Sequence, residues 1–320
     1  MTRLTVLVFL LIAALSAFAQ TFPSRAVNFI VPASAGGATD NMARSLASRL
    51  AEIWGQPVVV ENRPGATQII GAEYVAKSAP DGYTLLVSEA ATWVITPHFQ
   101  RKLPFDGMSA FTPVTVLVRF PWVIAVHSSV PVGTFQELVA HARAKPGALS
   151  YGSFGLGSSG HISVDYLKKL LGIDILHVPY KGAAPAVTDL LAGQIQVMMV
   201  TPLLVEPHAR AGKLRLLAAA TRERISRLPD LPTVSESGVP GYEAGTWFAL
   251  VGPAGMRREV TNFLYSEVKR VMNEPAFRDK YVEKQWFEVV ANTPDEFAAF
   301  LKSEYDRWEK VIKLSGVKLE

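Results

Sequence analysis

A glycine-containing turn between an apolar strand and an amphipathic helix is the feature that most constrains the fold of this chain. Residues 26–31 are mostly apolar, which is typical of a buried strand. After the turn, apolar residues recur with the spacing of one helix face, at Ala43, Leu46, Leu50 and Ile53. Gly36 and Gly37 allow the backbone between the two elements to turn tightly and to approach a ligand closely.

The helix after this turn is predicted to be capped by Thr39 or Asp40. The first N–H groups of a helix have no intrahelical acceptor, and the positive end of the helix dipole lies beside them. Such a helix start suits an anion. Taken alone, this turn is best interpreted as an ordinary connection between a strand and a helix. A second turn of the same kind later in the chain makes that interpretation less favoured than a binding site.

The second glycine-containing turn occupies residues 152–161 and also precedes a helix pattern. From Gly155 to Gly160 it has the spacing Gly-x-Gly-x-x-Gly, which occurs in dinucleotide-binding sites. Those sites need an acidic residue at the end of the next strand. Here the strand predicted at residues 175–178 has its acid, Asp174, at the wrong end, so a nicotinamide dinucleotide is excluded.

Without a dinucleotide, the second turn is a helix start with Ser158 and Ser159 as hydroxyl donors. The proximity of these serines to His161 leaves open an exported serine hydrolase that uses Ser158 or Ser159. The segment does not match the Gly-x-Ser-x-Gly pattern of a nucleophile elbow, and a structural role for His161 is favoured. An interaction module without a small ligand is a third interpretation.

Composition and the N-terminus exclude several classes of protein. Residues 1–19 combine Arg3, an apolar run and a small-residue cleavage pattern, which predicts a signal peptide. The net charge is only +4 and the basic residues are dispersed, which argues against nucleic acid as a partner. The chain has no cysteine and its histidines are scattered, so we expect no disulfide, no metal site and no cofactor.

Strand and helix patterns alternate along most of the chain, which predicts an α/β fold with mainly parallel sheets. The pattern restarts near residue 125, and the C-terminal part is helical. We therefore expect a discontinuous first lobe, residues 20–124 plus 248–320, and an inserted second lobe, residues 125–247. Two crossing strands, near Val123–Val126 and Thr246–Leu250, should act as a hinge. Capping boxes are predicted at Thr134 and Thr293.

Several segments in order, between about residues 22 and 316, carry a family resemblance. They are Gly36-Gly37-x-x-Asp40, residues 55–66, 79–86, 177–182, 228–234 and 238–242. In these segments the chain resembles the periplasmic solute receptors of the tripartite tricarboxylate transporter family, also called Bug proteins.

The resemblance implies a two-lobed periplasmic-binding-protein (Venus flytrap) architecture, in which each lobe is a sheet flanked by helices. It also implies a monomer without catalysis, which captures a small carboxylate in the periplasm and delivers it to integral membrane transporter subunits. By the resemblance, the first ligand loop is Ala33 to Thr39 and the second is Ser153 to Ser159. The expected ligand-binding residues are Ala33, Ser34, Gly36, Gly37, Thr39, Ser88, Thr92, Ser153, Gly157, Ser158, Ser159, Tyr180, Thr201 and Trp247.

The side chains around these turns favour a particular kind of carboxylate. Phe154 and Leu156 stand where the family often has polar residues, and Val200 stands where it often has Asp. Trp93 and Trp247 can complete apolar walls, against which a second carboxylate would lose hydration without a partner. We therefore expect a monocarboxylate with an aromatic or aliphatic body rather than a tricarboxylate.

Overall fold

The computed structural model describes residues 22–65, 68–99 and 103–317, and the predicted signal peptide lies outside these ranges. The described strands are β1 (Val27–Val31), β2 (Val58–Asn62), β3 (Thr84–Glu89), β4 (Phe111–Pro121), β5 (Val123–His127), β6 (Ser150–Ser153), β7 (Leu176–Pro179), β8 (Val197–Val200), β9 (Leu214–Ala219), β10 (Gly245–Pro253) and β11 (Glu288–Val289).

Helices follow most of these strands and cover the faces of the sheets. The described α-helices are α1 (Ala38–Trp54), α2 (Ile69–Ala76), α3 (Ala91–Val94), α4 (Thr96–Phe99), α5 (Phe135–Ala144), α6 (Ser159–Leu171), α7 (Ala183–Leu191), α8 (Pro202–Arg210), α9 (Arg258–Met272), α10 (Pro275–Tyr281) and α11 (Pro294–Ser315).

The strands form two separate sheets, as the predicted two-lobed α/β fold requires. The first sheet has six strands in the order β11-β4-β10-β3-β1-β2, and the second has five in the order β7-β6-β8-β5-β9. The strands β1, β2 and β3 are parallel, whereas β10 is antiparallel to both β3 and β4. In the second sheet β6 is parallel to β7 and β8, and β5 is antiparallel to β8 and β9.

Both faces of the first sheet are buried, which explains why its strands are continuously apolar. Neighbouring residues of β3 point to opposite faces: Leu85 packs in the cluster beneath α1 and α9, and Leu86 packs in the cluster that includes α11. The predicted helical tail therefore covers this sheet, and α11 also packs against α6 of the second lobe.

The capping predictions have different outcomes. At the start of α11, the Thr293 hydroxyl accepts from the Glu296 N–H and Glu296 accepts in return from the Thr293 N–H, which confirms a full capping box. At α5, Thr134 accepts from the Glu137 N–H, but the Glu137 carboxylate accepts from Gly133 instead. The second hydrogen bond of the predicted capping box is therefore made by the N–H of Gly133 instead of that of Thr134.

The chain passes between the sheets at two points that lie side by side. β4 ends in the first sheet at Pro121 and β5 begins in the second at Val123, so neither strand itself spans both sheets. The Trp122 carbonyl accepts from the Ala220 N–H at 2.8 Å, and the Ala220 carbonyl accepts from the Ala244 N–H at 2.6 Å. These bonds tie the connecting segments together. The predicted lobe boundaries lie close to them, and we keep that division of the chain as a proposal.

Candidate functional site

The two glycine-containing loops leave strand ends that lie at the junction between the sheets. In the first sheet, Phe248 near the start of β10 is paired with Glu89 at the end of β3, and β3 is parallel to β1. In the second sheet, Val123 at the start of β5 is paired with Val200 at the end of β8, and β8 is parallel to β6. The connecting segments therefore join the same sheet edges from which both loops emerge, and ligands of α/β proteins bind at such edges.

The first loop, Ala33 to Thr39, is fixed by the buried carboxylate of Asp40. This carboxylate accepts hydrogen bonds from Gly36 N at 2.8 Å, Arg44 Nε at 2.9 Å and Asn62 Nδ2 at 2.9 Å. Burial alone would raise the pKa of Asp40, but the bonds from Arg44, Gly36 and Asn62 together lower it. Asn62 Nδ2 also donates to the Ala33 carbonyl at 3.0 Å, so both ends of the loop share one anchor.

The predicted cap of α1 is wrong, because the helix begins at Ala38 after Gly37, whose extended backbone occupies the cap position. Gly36 has a φ of 82°, which turns the chain before Thr39 is reached. Thr39 and Asp40 therefore lie in the first helical turn. Within the described residues, the N–H groups of Ala38 and Thr39 have no acceptor, and the loop from Ser34 to Ala38 is exposed.

The second loop, Ser153 to Ser159, is held by its own side chains. Ser158 is the cap of α6: its hydroxyl accepts from the His161 N–H at 3.2 Å and donates to the Gly155 carbonyl at 2.8 Å. The expectation that this hydroxyl binds the ligand is therefore corrected, because its proton is already used. The first helical residue, Ser159, is half-buried, and its N–H and hydroxyl have no partner within the described residues.

Two stacked imidazoles lie under the second loop. The rings of His161 and His177 are 3.9 Å apart and inclined by 7°. His161 Nδ1 accepts from the Gly157 N–H at 3.0 Å, while His177 Nε2 lies 2.7 Å from the Ser153 hydroxyl. Burial lowers the pKa of His177 to about 4. The two imidazoles thus hold Gly157 and Ser153 in place rather than contacting a ligand.

This arrangement also removes the basis of the hydrolase interpretation. His161 Nε2 faces Asp165 Oδ2 at 3.2 Å, and its Nδ1 is occupied by the Gly157 N–H. Neither ring nitrogen is therefore available as a base for Ser158 or Ser159. Among the described residues, there is also no group of three or more His, Asp or Glu side chains that could hold a metal ion.

The expectation that Ser88 and Thr92 bind the ligand is corrected by their burial. Ser88 and Thr92 are buried, with 0% and 2% exposure, and their hydroxyls bond to the Gln68 amide oxygen. The amide nitrogen of Gln68 donates to the Glu89 carboxylate. Ser88 and Thr92 therefore support Gln68 and Glu89, both of which the sequence reasoning missed. An acidic residue at the carboxyl end of an apolar strand is the signal that could have indicated Glu89.

The two remaining polar candidates differ in their surroundings. The Tyr180 hydroxyl is used by a bond of 2.7 Å to Asp189 Oδ2. Thr201 follows the carboxyl end of β8 and precedes α8, and its buried hydroxyl has no hydrogen-bond partner among the described residues. Thr201 is therefore, besides Ser159, a candidate side chain with an unused polar atom at this edge.

Most of the predicted apolar walls lie in the lobe cores, which corrects the prediction for Trp247. Trp93 and Trp247 are stacked 5.5 Å apart, and Trp247 also packs on Phe297 and Phe300 of α11. Val200 is fully buried in the second lobe. Phe154 folds back against Trp122 and Gly160, which leaves the exposed Leu156 as the apolar side chain that projects from the loop.

Trp247 also borders a separate cavity of about 420 Å³ on the β4–β11 side of the connecting segments. Its charged walls include the ion pair Arg119–Glu288 and the α11 residues Glu304 and Arg307. No residue of the first or second loop lines it.

Within the described ranges, no helix is both long and apolar enough to cross a membrane.

Comparison with known proteins identifies the family of this chain. The family model described as "Tripartite tricarboxylate transporter family receptor" matches residues 42–317. Protein BugT of Bordetella pertussis is 34% identical over 325 residues, which cover 100% of this chain and 99% of BugT.

Two solved structures are similar along nearly their whole length. R. palustris Rpa4515 with adipate is 36% identical with a TM-score of 0.81, covering 93% of this chain and 99% of that one. MatC from Rhodopseudomonas palustris with bound malate is 31% identical with a TM-score of 0.76, covering 91% and 100%. These relatives are ligand-binding receptors rather than enzymes. The chain therefore belongs to the receptor family of the tripartite tricarboxylate transporters, the family of the Bug proteins.

Proposed function

We propose that this receptor captures a small carboxylate in the periplasm, between its first and second loops, and delivers it to the membrane subunits of a tripartite transporter. The observation that carries the proposal is the pair of helix starts at α1 and α6. Each belongs to a different lobe, each lies at the junction of the sheets, and each has N–H groups without an acceptor in the described residues. Neither loop contains Lys or Arg.

Backbone N–H groups at helix starts are sufficient for such a ligand. A hydrogen bond to a charged group contributes about 1.5–3 kcal/mol, and it is strongest where water is excluded. Several N–H groups from two lobes can therefore hold a carboxylate without a cationic side chain. The unused Thr201 hydroxyl at the end of β8 supplies a further polar group at the same edge.

Two further observations support the proposal. Relatives of 36% and 31% identity hold adipate and malate. The apolar run and cleavage pattern of residues 1–19 support export to the periplasm. The expected preference for a monocarboxylate with an apolar body is not retained, because Val200, Trp93 and Trp247 lie in the lobe cores.

Proline substitutions at the first helical residue test the role of the backbone directly. Proline fits this position and removes one N–H group, and Gly37 and Ser158 already have the extended backbone that precedes a proline. We expect Ala38→Pro and Ser159→Pro each to weaken carboxylate binding about ten- to a hundredfold, with little change in stability. The matched control is Arg258→Pro, at the same position of α9, remote from both loops.

The measurement is isothermal calorimetry with adipate, malate, citrate and benzoate, followed by the variants with whichever of these binds. Unchanged affinity in both loop variants would show that the carboxylate binds elsewhere. A protein that retains its fold and binds none of the four compounds would contradict carboxylate capture. A thermal shift assay with the same compounds checks both results, because a ligand of the folded state must raise its stability.

A further inference from the structure

A chain of buried polar side chains ends in a carboxyl group at the junction between the lobes. The hydroxyls of Ser88 and Thr92 lie 2.9 Å and 2.6 Å from Gln68 Oε1 and 2.6 Å from each other. Gln68 Oε1 is the acceptor that faces these two hydroxyls. The Gln68 amide nitrogen therefore points the other way, to Glu89.

This arrangement distinguishes the two oxygens of Glu89. Oε1 accepts the hydrogen bond of Gln68 Nε2, whereas Oε2 has no hydrogen-bond partner among the described residues. Gln68 is held at a φ of 74°, in the left-handed region that residues other than glycine rarely adopt. The surrounding structure therefore keeps Gln68 in a strained conformation, from which its amide contacts both Ser88 and Glu89.

The position of Glu89 places it beside the first loop. The parallel strands β1 and β3 are paired at Ile30 and Leu86, so the first loop after β1 and Glu89 at the end of β3 leave the same edge of the sheet. On its other side Glu89 is paired with the buried Phe248. Glu89 is half-buried as a residue, and it lies at the end of β3, where the connecting segments meet the first sheet.

Within the described residues, no charged side chain pairs with the carboxyl group of Glu89. Charged side chains on the neighbouring elements pair with one another, as in Asp40–Arg44, Glu61–Arg63, Glu73–Lys77 and, on α6, Asp165 with His161 and Lys168. The strand β10 contributes no charge. Burial raises the pKa of Glu89, the Gln68 hydrogen bond opposes this rise in part, and no neighbouring charge is among the causes.

We propose that Glu89 binds the solute as a neutral carboxylic acid, whose Oε2–H donates a hydrogen bond to a carboxylate oxygen of the ligand. Gln68, Ser88 and Thr92 are its positioning residues. The inference rests on the proposed function, because it assigns a donor to the same carboxylate site. An ionised Glu89 would repel such a ligand, whereas the protonated group adds a donor without adding charge.

This assignment couples binding to one proton. Above the pKa of Glu89 in the free protein, the ligand must bind together with a proton, so affinity falls by up to about tenfold for each unit of pH. Below that pKa, and above the pKa values of the ligand's own carboxyl groups, the affinity is constant. If instead Glu89 were ionised and bound an ammonium group of the ligand, affinity would fall on acidification.

Adipate calorimetry across a series of pH values tests the assignment with three variants. Glu89→Gln keeps an N–H donor, so we expect affinity within about threefold of the wild type at low pH and no loss at high pH. Glu89→Leu removes the donor and should weaken binding about ten- to a hundredfold at low pH. The control is Glu259→Gln, on the exposed first turn of α9, which should behave as the wild type.

The inference is overturned if adipate binds with a pH dependence that Glu89→Gln leaves unchanged, or if acid weakens binding through Glu89. In both cases carboxylate capture itself stands. Infrared spectroscopy of the protein saturated with adipate gives an independent result: a protonated carboxyl band at neutral pH should be lost in Glu89→Gln and kept in Glu259→Gln. The absence of this band from the adipate complex overturns the inference, and carboxylate capture stands. If no carboxylate binds, the proposed function fails and the ligand-binding role of Glu89 fails with it.

Discussion

At the scale of single residues, the candidate site depends on polar groups that support the loops from behind. Asp40, Gln68 and His161 each bind a backbone or side-chain group of the loop region rather than pointing at a ligand. Side chains held in this way are pre-organised, so the exposed N–H groups lose little freedom when a ligand binds. Substitution of the supporting groups should therefore change stability and affinity together.

Asp40→Asn tests the anchor of the first loop. The substitution removes the charge on a carboxylate that is 2% exposed and bonded to Arg44, so we expect a loss of about 1.5–3 kcal/mol in the free energy of unfolding. Because the pKa of Asp40 is lowered, this contribution is complete above the ordinary aspartate value of 3.8 and disappears as the pH falls below it. Urea unfolding measures the difference.

The matched control is Asp295→Asn, whose ion pair with Arg258 is exposed on both sides. Surface ion pairs contribute about 0–1 kcal/mol, so this variant should lie close to the wild type. Equal losses in the two variants would contradict an anchoring role for Asp40.

His177 should make the second lobe sensitive to acid. The unfolded chain binds a proton on this imidazole near the ordinary value of 6.5, but the folded chain does so only near 4. Acidification between these values therefore favours unfolding, and the contribution is complete above 6.5. We expect the urea midpoint of the wild type to fall across this window, and His177→Asn to show a smaller fall.

The same experiment needs the His208→Asn variant as a control, because His208 lies on α8, away from the stacked pair. Burial also lowers the pKa of His98, which contributes in the same direction in all three proteins. If the urea midpoint of His177→Asn fell with pH as steeply as that of the wild type, the acid sensitivity would come from other groups.

At the scale of secondary-structure elements, the starts of α1 and α6 are the functional parts of their helices. Both begin after a residue with extended backbone, and both follow a strand that ends at the junction between the sheets. They differ in their capping: α6 has a serine cap, whereas α1 has Gly37 without a side-chain cap and uses Asp40 to bind the preceding loop. The two loops therefore depend on different contacts for their shape.

Ser158→Ala tests whether Ser158 is a helix cap rather than a ligand donor. Loss of a serine cap costs about 0.5–2 kcal/mol of stability. We expect this loss in chemical denaturation, whereas Ser159→Ala should leave stability nearly unchanged because its hydroxyl has no partner within the described part of the chain. If Ser159→Ala lost more stability than Ser158→Ala, Ser158 would not be the structural cap.

At the scale of the whole molecule, two short connections and one long helix join the lobes. The connecting segments at Trp122 and Ala244 are both bonded to Ala220, and we expect the hinge between the lobes at these segments. On the first lobe α11 packs against β4, and it also contacts α6, whose Ile162 lies in the same cluster as Trp93 and Trp247. Movement of the lobes therefore has to shift α6 across an apolar surface of the first lobe.

Closure on the ligand should be visible in solution. Because the proposed donors lie on both lobes, a carboxylate that contacts both stabilises the closed arrangement by its differential affinity. We expect the radius of gyration from small-angle X-ray scattering to fall when the protein is saturated with a carboxylate that binds in calorimetry. Ser159→Pro, at a ligand concentration too low to saturate it, should give the ligand-free curve. Identical wild-type curves with and without bound ligand would contradict closure.

The sequence by itself determined the local structure and the family. Glycine turns between an apolar strand and an amphipathic helix define the two loops from neighbouring residues alone, and the capping box at Thr293 is equally local. The ordered set of short motifs identified the receptor family, which the comparisons confirm. These features depend on residues close together in the chain, so no tertiary information is needed to find them.

The tertiary structure decided which side chains face the ligand region. In strands that are apolar on both faces, sequence alternation does not reveal direction, so Ser88, Trp247 and Val200 were assigned to the cleft although they are buried in cores. Gln68 and Glu89 are 21 residues apart and meet only because β3 lies beside β1, next to the start of α2. Strand register and packing between distant segments bring such groups together, and no local pattern in the sequence encodes either one.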